Sequence, residues 1–514
     1  MAIAAVMALT AAALPTRQAE GWREVARLGR GVVVELAWSP GGKTLAAATS
    51  AGVWLYTAQL EPLGLLEGHT RWISAVDWSP DGERLVTGSW DDTARIWDAA
   101  SGETVAVLRG HAHWVTDVAW SPRGDRVATV SYDRAVRLWD ADRGEAVASW
   151  EADLEPVEAV AWSPDGERLA TGAETGAVRV WQIAPGAAEA AGQVWVFPVN
   201  EADYGITRLA WNLAAPLIAG GRRDGRVRIW RAEHGALVAD LREHQGEVRA
   251  VAWSPDGARL ASAGADGTVR LWDRESLRRV ALIEAHAGGV NALAWSRAGL
   301  LASAGADGVI RVWDAERGVE IDRATGHWSG FTAVSWSDDG AQVNVRGADG
   351  LIHAWDVASG QEEVARSASG VGAGEPALNP VIVARSPDRS RVARAEDGVV
   401  RVLWAIGDEE LAAWEAPTGI AALAWSPDGR WLAGGTWDGP VYVWDATDGA
   451  LAASLEGHTD LVSAVAWSPD GVYLASASAD GTARLWTAAP FPAPTPTRTP
   501  LPTPRRLERL EPEH

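Results

Sequence analysis

The 514-residue chain has no cysteine. Disulfides, thiol nucleophiles, cysteine-ligated metals and a lipid anchor on an N-terminal cysteine are thereby excluded. Lys43 is the only lysine, so nearly all positive charge is arginine, which reads as a bias of genome composition rather than of mechanism. Basic residues number 46 against 68 acidic ones, the formal net charge is −22, and no basic cluster interrupts the surplus. Duplex nucleic acid is not an expected partner, because its phosphates call for clustered cations. The acidity either keeps a large β protein soluble or favours basic partners kinetically. No apolar run is long enough to span a membrane. The one sustained run, residues 2–14 (AIAAVMALTAAAL), ends in small residues and lacks preceding positive charge. It reads as the core and cleavage region of an export signal, which sets residues 1–21 apart and implies a periplasmic or extracellular location, with a cytoplasmic one the alternative.

Marks of chemistry are equally sparse. There is no Gly-x-Ser-x-Gly elbow and no phosphate-binding Gly-Lys-Ser/Thr loop, and residues 370–374 do not complete a dinucleotide fingerprint. Residues 140–145 (DADRGE) hint at a calcium loop but lack its full ladder of oxygen ligands. No catalytic residue, cofactor or metal is expected.

Tryptophan, by contrast, is abundant, with 31 residues. Ten of them head a turn at nearly constant spacing: Trp38, Trp78, Trp120, Trp162, Trp211, Trp253, Trp295, Trp336, Trp425 and Trp467. Arg385 fills the gap in the series, and the steps are 40, 42, 42, 49, 42, 42, 41, 49, 40 and 42 residues. A fixed period of this size is one supersecondary unit copied many times. Within residues 68–98, Val76 and Trp78 alternate with polar or small neighbours, as in a half-buried strand. Ser-Pro-Asp-Gly (79–82) is a turn in which proline presets φ, aspartate bonds its own backbone and glycine supplies positive φ. Two further short strands and room for a fourth complete each unit, which is the content of a propeller blade.

The Gly-His opening, the Trp-Asp close and the period of about 40 residues resemble the WD-repeat β-propeller family. The resemblance runs from residue 22 to 487. It implies an all-β fold, a β-propeller of eleven WD-type repeats, each a four-stranded antiparallel blade. It further implies a hydrogen-bonded tetrad in each complete blade: His69, Ser89, Asp91 and Trp97; His111, Ser131, Asp133 and Trp139; His458, Ser478, Asp480 and Trp486. Repeats six, seven and eight retain His244, Asp266 and Trp272; His286, Asp307 and Trp313; and His327, Asp349 and Trp355, with glycine in the serine position. Repeat four, with Asp153, Ala173 and Thr175, is expected to lack the network. Family architecture also brings the first outer strand from the N-terminus, here residues 22–28, onto the last three strands. Eleven blades exceed the usual ~4–8 of one propeller. One wide ring and two rings divided near the long connections 183–203 or 357–380 both remain open. Residues 488–514 are rich in proline and threonine and are expected to form an extended tail.

In the family, partners dock on the face formed by the loop after Gly-His and the residue before the tetrad aspartate. Those slots hold Trp72 and Trp90 in repeat two and Trp114 and Tyr132 in repeat three, beside Arg71 and Arg134. Trp437 occupies the slot in repeat ten. Tryptophan, tyrosine and arginine dominate interface energies, so these seven residues are the candidate partner-binding set. The expected function is a non-enzymatic scaffold, monomeric, that binds a protein or peptide. The alternative is an exported propeller binding or processing a small ligand at its central channel. A convergent polar cluster with shifted pKa values at the channel mouth would favour that alternative.

Overall fold

A computed structural model describes residues 22–183, 192–197, 205–327, 330–337, 339–347, 351–357, 362–367, 382–396, 398–407 and 409–488. The expected N-terminal signal and nearly all of the tail lie outside them. The described residues form eleven four-stranded antiparallel sheets. Sheets one to seven span 33–66, 73–109, 115–151, 157–196, 206–241, 248–284 and 290–324. Sheets eight to ten span 331–367, 382–415 and 420–455, and sheet eleven spans 462–488. The N-terminal strand, Trp22–Leu28, pairs with Ala483–Ala488 and supplies the fourth strand of sheet eleven. Pairing there covers a strand edge that would otherwise be open to other chains.

Seven of the ten periodic tryptophans stitch their sheet to a packed neighbour, whereas Trp120 Nε1 donates to Gly124 O of its own turn. Trp78 Nε1 donates to Ala37 O at 3.0 Å, Trp162 to Ala119 O at 3.1 Å and Trp295 to Ala252 O at 3.2 Å. Small residues of most second strands then receive the apolar first strand of the following sheet. Ala46 and Ala48 pack on Ile73, Val76 and Trp78, and Ala261 and Ala263 pack on Val290 and Leu293. The same rule closes a ring of seven, because Ala302 and Ala304 of sheet seven pack on Val33, Leu36 and Trp38 of sheet one. The first strands of sheets one to seven pack in order and return to the first.

The other four sheets pack in the order nine, ten, eleven, eight. Trp336 Nε1 of sheet eight accordingly donates to Ala466 O of sheet eleven at 3.1 Å. The chain passes from the seven to the four between Ala324 and Phe331, and not at 183–203 or 357–380. The long connections instead precede the fourth strand of sheet four and the first strand of sheet nine. Sheet eight carries Asn344 and Arg346 at the positions where sheet seven has Ala302 and Ala304. Among the described residues, no following sheet packs on them. Sheet nine has Arg385 in place of the stitching tryptophan, paired with Val392 as Trp78 is with Leu85. Both ends of the four-sheet set therefore carry polar residues, as terminal repeats require.

The ring is clasped by His327, a correction to the tetrad expected in repeat eight. Tyr56, standing where other sheets have tryptophan, donates its hydroxyl hydrogen to His327 Nε2 at 2.6 Å, and His327 Nδ1 donates to Gly31 O at 3.2 Å. Arg30 N adds a bond to Gly326 O at 2.8 Å. So the Gly-His of repeat eight completes sheet one. Asp349 lies outside the described residues. Trp355 packs in the core between sheets eight and eleven.

Candidate partner-binding site at the mouth of the seven-sheet ring

The tetrads come first, because they hold the loops that carry the site. His69 Nδ1 donates to Asp91 Oδ2 at 2.8 Å, and its Nε2 accepts from Thr87 Oγ1 at 2.7 Å. Thr87 Oγ1 in turn accepts from Trp97 Nε1 at 2.8 Å. The hydroxyl of the network is thus Thr87, and not Ser89. Ser89 Oγ donates to Arg71 O at 3.1 Å and accepts from Asp91 N at 3.1 Å, which fixes the turn instead. The same correction replaces Ser131 by Thr129 beside His111, Asp133 and Trp139, and Ser478 by Ser476 beside His458, Asp480 and Trp486. Sheets six and seven prove complete, with Ser262 and Ser303. Sheet four keeps two separate pieces of the network: Thr175 Oγ1 donates to Asp153 Oδ2 at 3.1 Å beside Arg179, and Trp181 Nε1 donates to Thr171 Oγ1 at 2.9 Å. Burial lowers the pKa of His69 and keeps it neutral. Burial alone would raise Asp91, yet hydrogen bonds from His69, Thr93 and Thr70 hold it well below the usual carboxylate range.

At the end of the ring held by these tetrads, four of the candidate residues come together. Trp72 and Trp90 stack at 5.4 Å between ring centroids, Trp90 and Trp114 at 4.7 Å, and Tyr132 leans on Trp114 at 5.6 Å. His113, which the sequence reading passed over, sits 4.9 Å from Trp114 and 5.2 Å from Tyr132. The remaining three candidates are placed elsewhere. Arg71 forms an exposed pair with Asp438 of sheet ten at 3.4 Å. Arg134 turns to Glu151 at 3.5 Å and to Leu154 O at 3.4 Å. Trp437 is 59% exposed and does not join the stack.

The stack walls a cavity of about 290 Å³ whose lining also includes Val34, Ser74, Thr116, Glu158, Arg208 and Arg223. Local backbone explains the convergence. Each first strand of the ring begins with a bulge, between Val33 and Glu35, Ile73 and Ala75, Val115 and Asp117, Val157 and Ala159. The extra residue of a bulge is re-aimed out of the ladder, and Val34, Ser74, Thr116 and Glu158 are those residues. The floor is Arg208 of sheet five, whose guanidinium crosses to Ser74 O at 3.4 Å and to Glu35 at 3.5 Å. Arg223 holds one side, 2.9 Å from Glu158, 3.2 Å from Glu174 and 3.8 Å from Glu247. Below the floor, carboxylates tie neighbouring sheets: Glu35 accepts from Val76 N at 2.9 Å, Asp77 from Trp120 N at 2.7 Å, and Asp117 from Val160 N at 2.9 Å. Burial drives Asp77 up to about 7 and raises Glu35 and Asp117 as well. Burial also raises Glu158, which shares a hydrogen bond with Glu174. The sequence signal for this cluster was a charged residue in a strand position that is small or apolar in neighbouring repeats. The DADRGE segment is ordinary turn chemistry, with Asp140 Oδ1 accepting from Asp142 N at 3.0 Å and Arg143 N at 2.8 Å.

Radially packed four-stranded sheets around a lined central cavity define a β-propeller protein. The chain belongs to the WD-repeat family. Residues 193–231, 235–273, 277–314, 409–445 and 449–487 match the family model "WD domain, G-beta repeat", and residues 32–192 match "IFT122 first beta-propeller". Similar proteins include Protein Mut11 of Chlamydomonas reinhardtii, 52% identical over 40 residues, 8% of this chain and 11% of the relative. Small ribosomal subunit protein RACK1 of Drosophila melanogaster is 49% identical over 43 residues, 8% and 14% of the two chains. Target of rapamycin complex subunit wat1 of Schizosaccharomyces pombe is 42% identical over 69 residues, 13% and 22%. The matched segments therefore span less than a quarter of these relatives' length. Family members generally act as non-enzymatic protein-interaction scaffolds. Among the described residues, no helix is long and apolar enough to cross a membrane.

Proposed function

We propose that the chain is a non-enzymatic scaffold that binds a protein or peptide partner at the aromatic mouth of its seven-sheet ring. The observation that carries this reading is the continuous stack of Trp72, Trp90, Trp114 and Tyr132, drawn from loops of two adjacent sheets and bordering an open cavity. Large aromatics gathered beside a pocket are the usual anchors of interface energy, each worth ~2 kcal/mol or more. Arg71, Arg134 and Trp437 contribute at most to its rim.

A second reading, a small ligand held in the cavity, is favoured by the polar cluster at the channel. Most of that cluster is committed to structure, however. Glu35, Asp77 and Asp117 each accept a backbone N–H from the neighbouring sheet beneath Arg208. Cross-linked affinity capture from native extract separates the readings. A protein captured by the wild type and lost from a folded Trp72→Ala/Trp90→Ala/Trp114→Ala variant supports the scaffold at this mouth. Equal capture by both moves the site elsewhere, and no captured protein favours the small ligand.

A further inference from the structure

Resting on the scaffold reading, we infer that the aromatic mouth receives residues 489–504 of its own chain as a polyproline II rod, which a partner must displace. Three observations converge on this occupant. The first is the segment itself. Residues 489–504 (APFPAPTPTRTPLPTP) lie outside the described residues and hold seven prolines, at 490, 492, 494, 496, 500, 502 and 504. Proline fixes its own φ near the polyproline II value and pushes the residue before it toward the same extended region. With prolines at every second position over most of its length, the segment is extended before it docks, and binding orders little that was free.

The second is the wall it meets. Polyproline segments dock in grooves lined by aromatic side chains. Trp72, Trp90, Trp114 and Tyr132 form one continuous run of half-buried rings across two sheets, bordering the cavity. The hydrogen bonding matches as well. Trp72 Nε1 is buried and meets no acceptor among the described residues. Proline has a carbonyl but no N–H, so the segment carries a surplus of acceptors, and one of them can take this indole proton in a hydrogen bond. An α-helix pairs its carbonyls internally and offers no such surplus.

The third is reach. The two sets of sheets meet at their loop ends. Ser50 Oγ of sheet one donates to Asp480 O of sheet eleven at 2.5 Å, and Thr459 Oγ1 of sheet eleven donates to Ser50 O. Arg71, next to Trp72, pairs with Asp438 of sheet ten at 3.4 Å. The described chain leaves sheet eleven at Ala488, one strand of six residues beyond that contact. Such a strand spans ~20 Å and neighbouring sheets lie ~10 Å apart, so the way back to the stack is about 30–40 Å. Residues 489–504 span about 50 Å as polyproline II.

The test is the anisotropy of a fluorescein-labelled peptide of sequence 489–504, titrated with the full-length chain and with a full-length tail variant whose seven prolines are serine. Because the tethered segment competes at high effective concentration in the wild type, the peptide should bind the tail variant about tenfold more tightly. A peptide with serine in place of its prolines should bind neither. Placed in the tail variant, Trp90→Ala with an unchanged melting curve should weaken peptide binding about tenfold. Trp72→Phe, which keeps an aromatic ring without the N–H, should weaken it about fivefold. Equal affinity for wild type and tail variant would mean that the tail does not occupy the mouth, and overturns the inference. Binding unmoved by both tryptophan changes overturns it too, by seating the segment elsewhere. A wild-type dimer that the tail variant abolishes, seen by sedimentation, would put the tail on a second copy and overturn its assignment within one chain. The scaffold reading is judged separately. A peptide that binds neither chain overturns the tail, while a partner captured by the wild type and lost from the triple tryptophan variant still upholds the scaffold.

Discussion

A buried hydroxyl is worth as much as the groups that depend on it, and Thr87 serves two. Its Oγ1 bonds both His69 Nε2 and Trp97 Nε1. Thr87→Val should leave both ring nitrogens unpaired at a cost of about 1–3 kcal/mol each. Ser89→Ala, which releases only turn contacts, should cost less than Thr87→Val. Differential melting and hydrogen exchange in sheet two would check the order, and a larger effect at Ser89 would restore the serine to the tetrad. Serine and threonine two residues apart share a strand face, so periodicity alone could not choose between them. The choice was nonetheless visible in repeats six and seven, where glycine follows two residues after Ser262 and Ser303.

Also at residue scale, Asp77 is raised from 3.8 to about 7 by burial. A carboxyl whose folded pKa exceeds its unfolded value contributes stability that is complete below the unfolded value and lost as pH rises through the folded one. Asp77→Asn removes that titration. Melting temperatures of the variant and the wild type, compared from pH 5 to 8, should shift in the variant's favour as pH rises toward and through about 7. Parallel curves would mean that Asp77 titrates in the ordinary carboxylate range.

Among elements, the clasp between Tyr56 and His327 decides how the ring closes. In the four-sheet set, a shared N-terminal strand ties sheet eleven. In the seven-sheet ring, no strand is shared between sheets seven and one, and closure rests on alanine packing and on the clasp. Burial and the nearby Arg30 depress His327 to about 3, so it stays neutral and accepts a hydrogen bond from the Tyr56 hydroxyl. Tyr56→Phe should cost about 1–3 kcal/mol by orphaning His327 Nε2. Hydrogen exchange should quicken in Gly52–Thr57 and around 325–327 while sheet four is unaffected. Quickening spread evenly around the ring would show that the clasp is not local.

At the scale of the whole molecule, the division into seven and four sheets follows from which second strands are small. Ala302→Asn would place a polar amide against Val33 and Leu36 and should destabilise the ring by about 1–3 kcal/mol. The reverse change at the corresponding place in sheet eight, Asn344→Ala, should change stability by no more than about 0.5 kcal/mol, since no sheet among the described residues covers it. Comparable effects at both positions would mean that sheet eight has a packed neighbour.

By itself the sequence determined the repeating unit, its four strands and the count of eleven. All of these are local: a turn, an alternation and a period are written within about 40 residues. It also marked the aromatic loops, because they fall at a fixed offset from each Gly-His. Only the tertiary structure decided that the eleven divide as seven and four, that the Gly-His of repeat eight serves sheet one, and that Glu158, Arg208 and Arg223 meet beneath the tryptophans. Those outcomes depend on contacts between residues far apart in the chain, such as Tyr56 with His327, where one position is read correctly only once its distant neighbour is known. The ends of the four-sheet set lie between the two cases. Asn344, Arg346 and Arg385 interrupt columns that are alanine or tryptophan elsewhere, yet polar residues mark a free face only after packing shows which face each column presents.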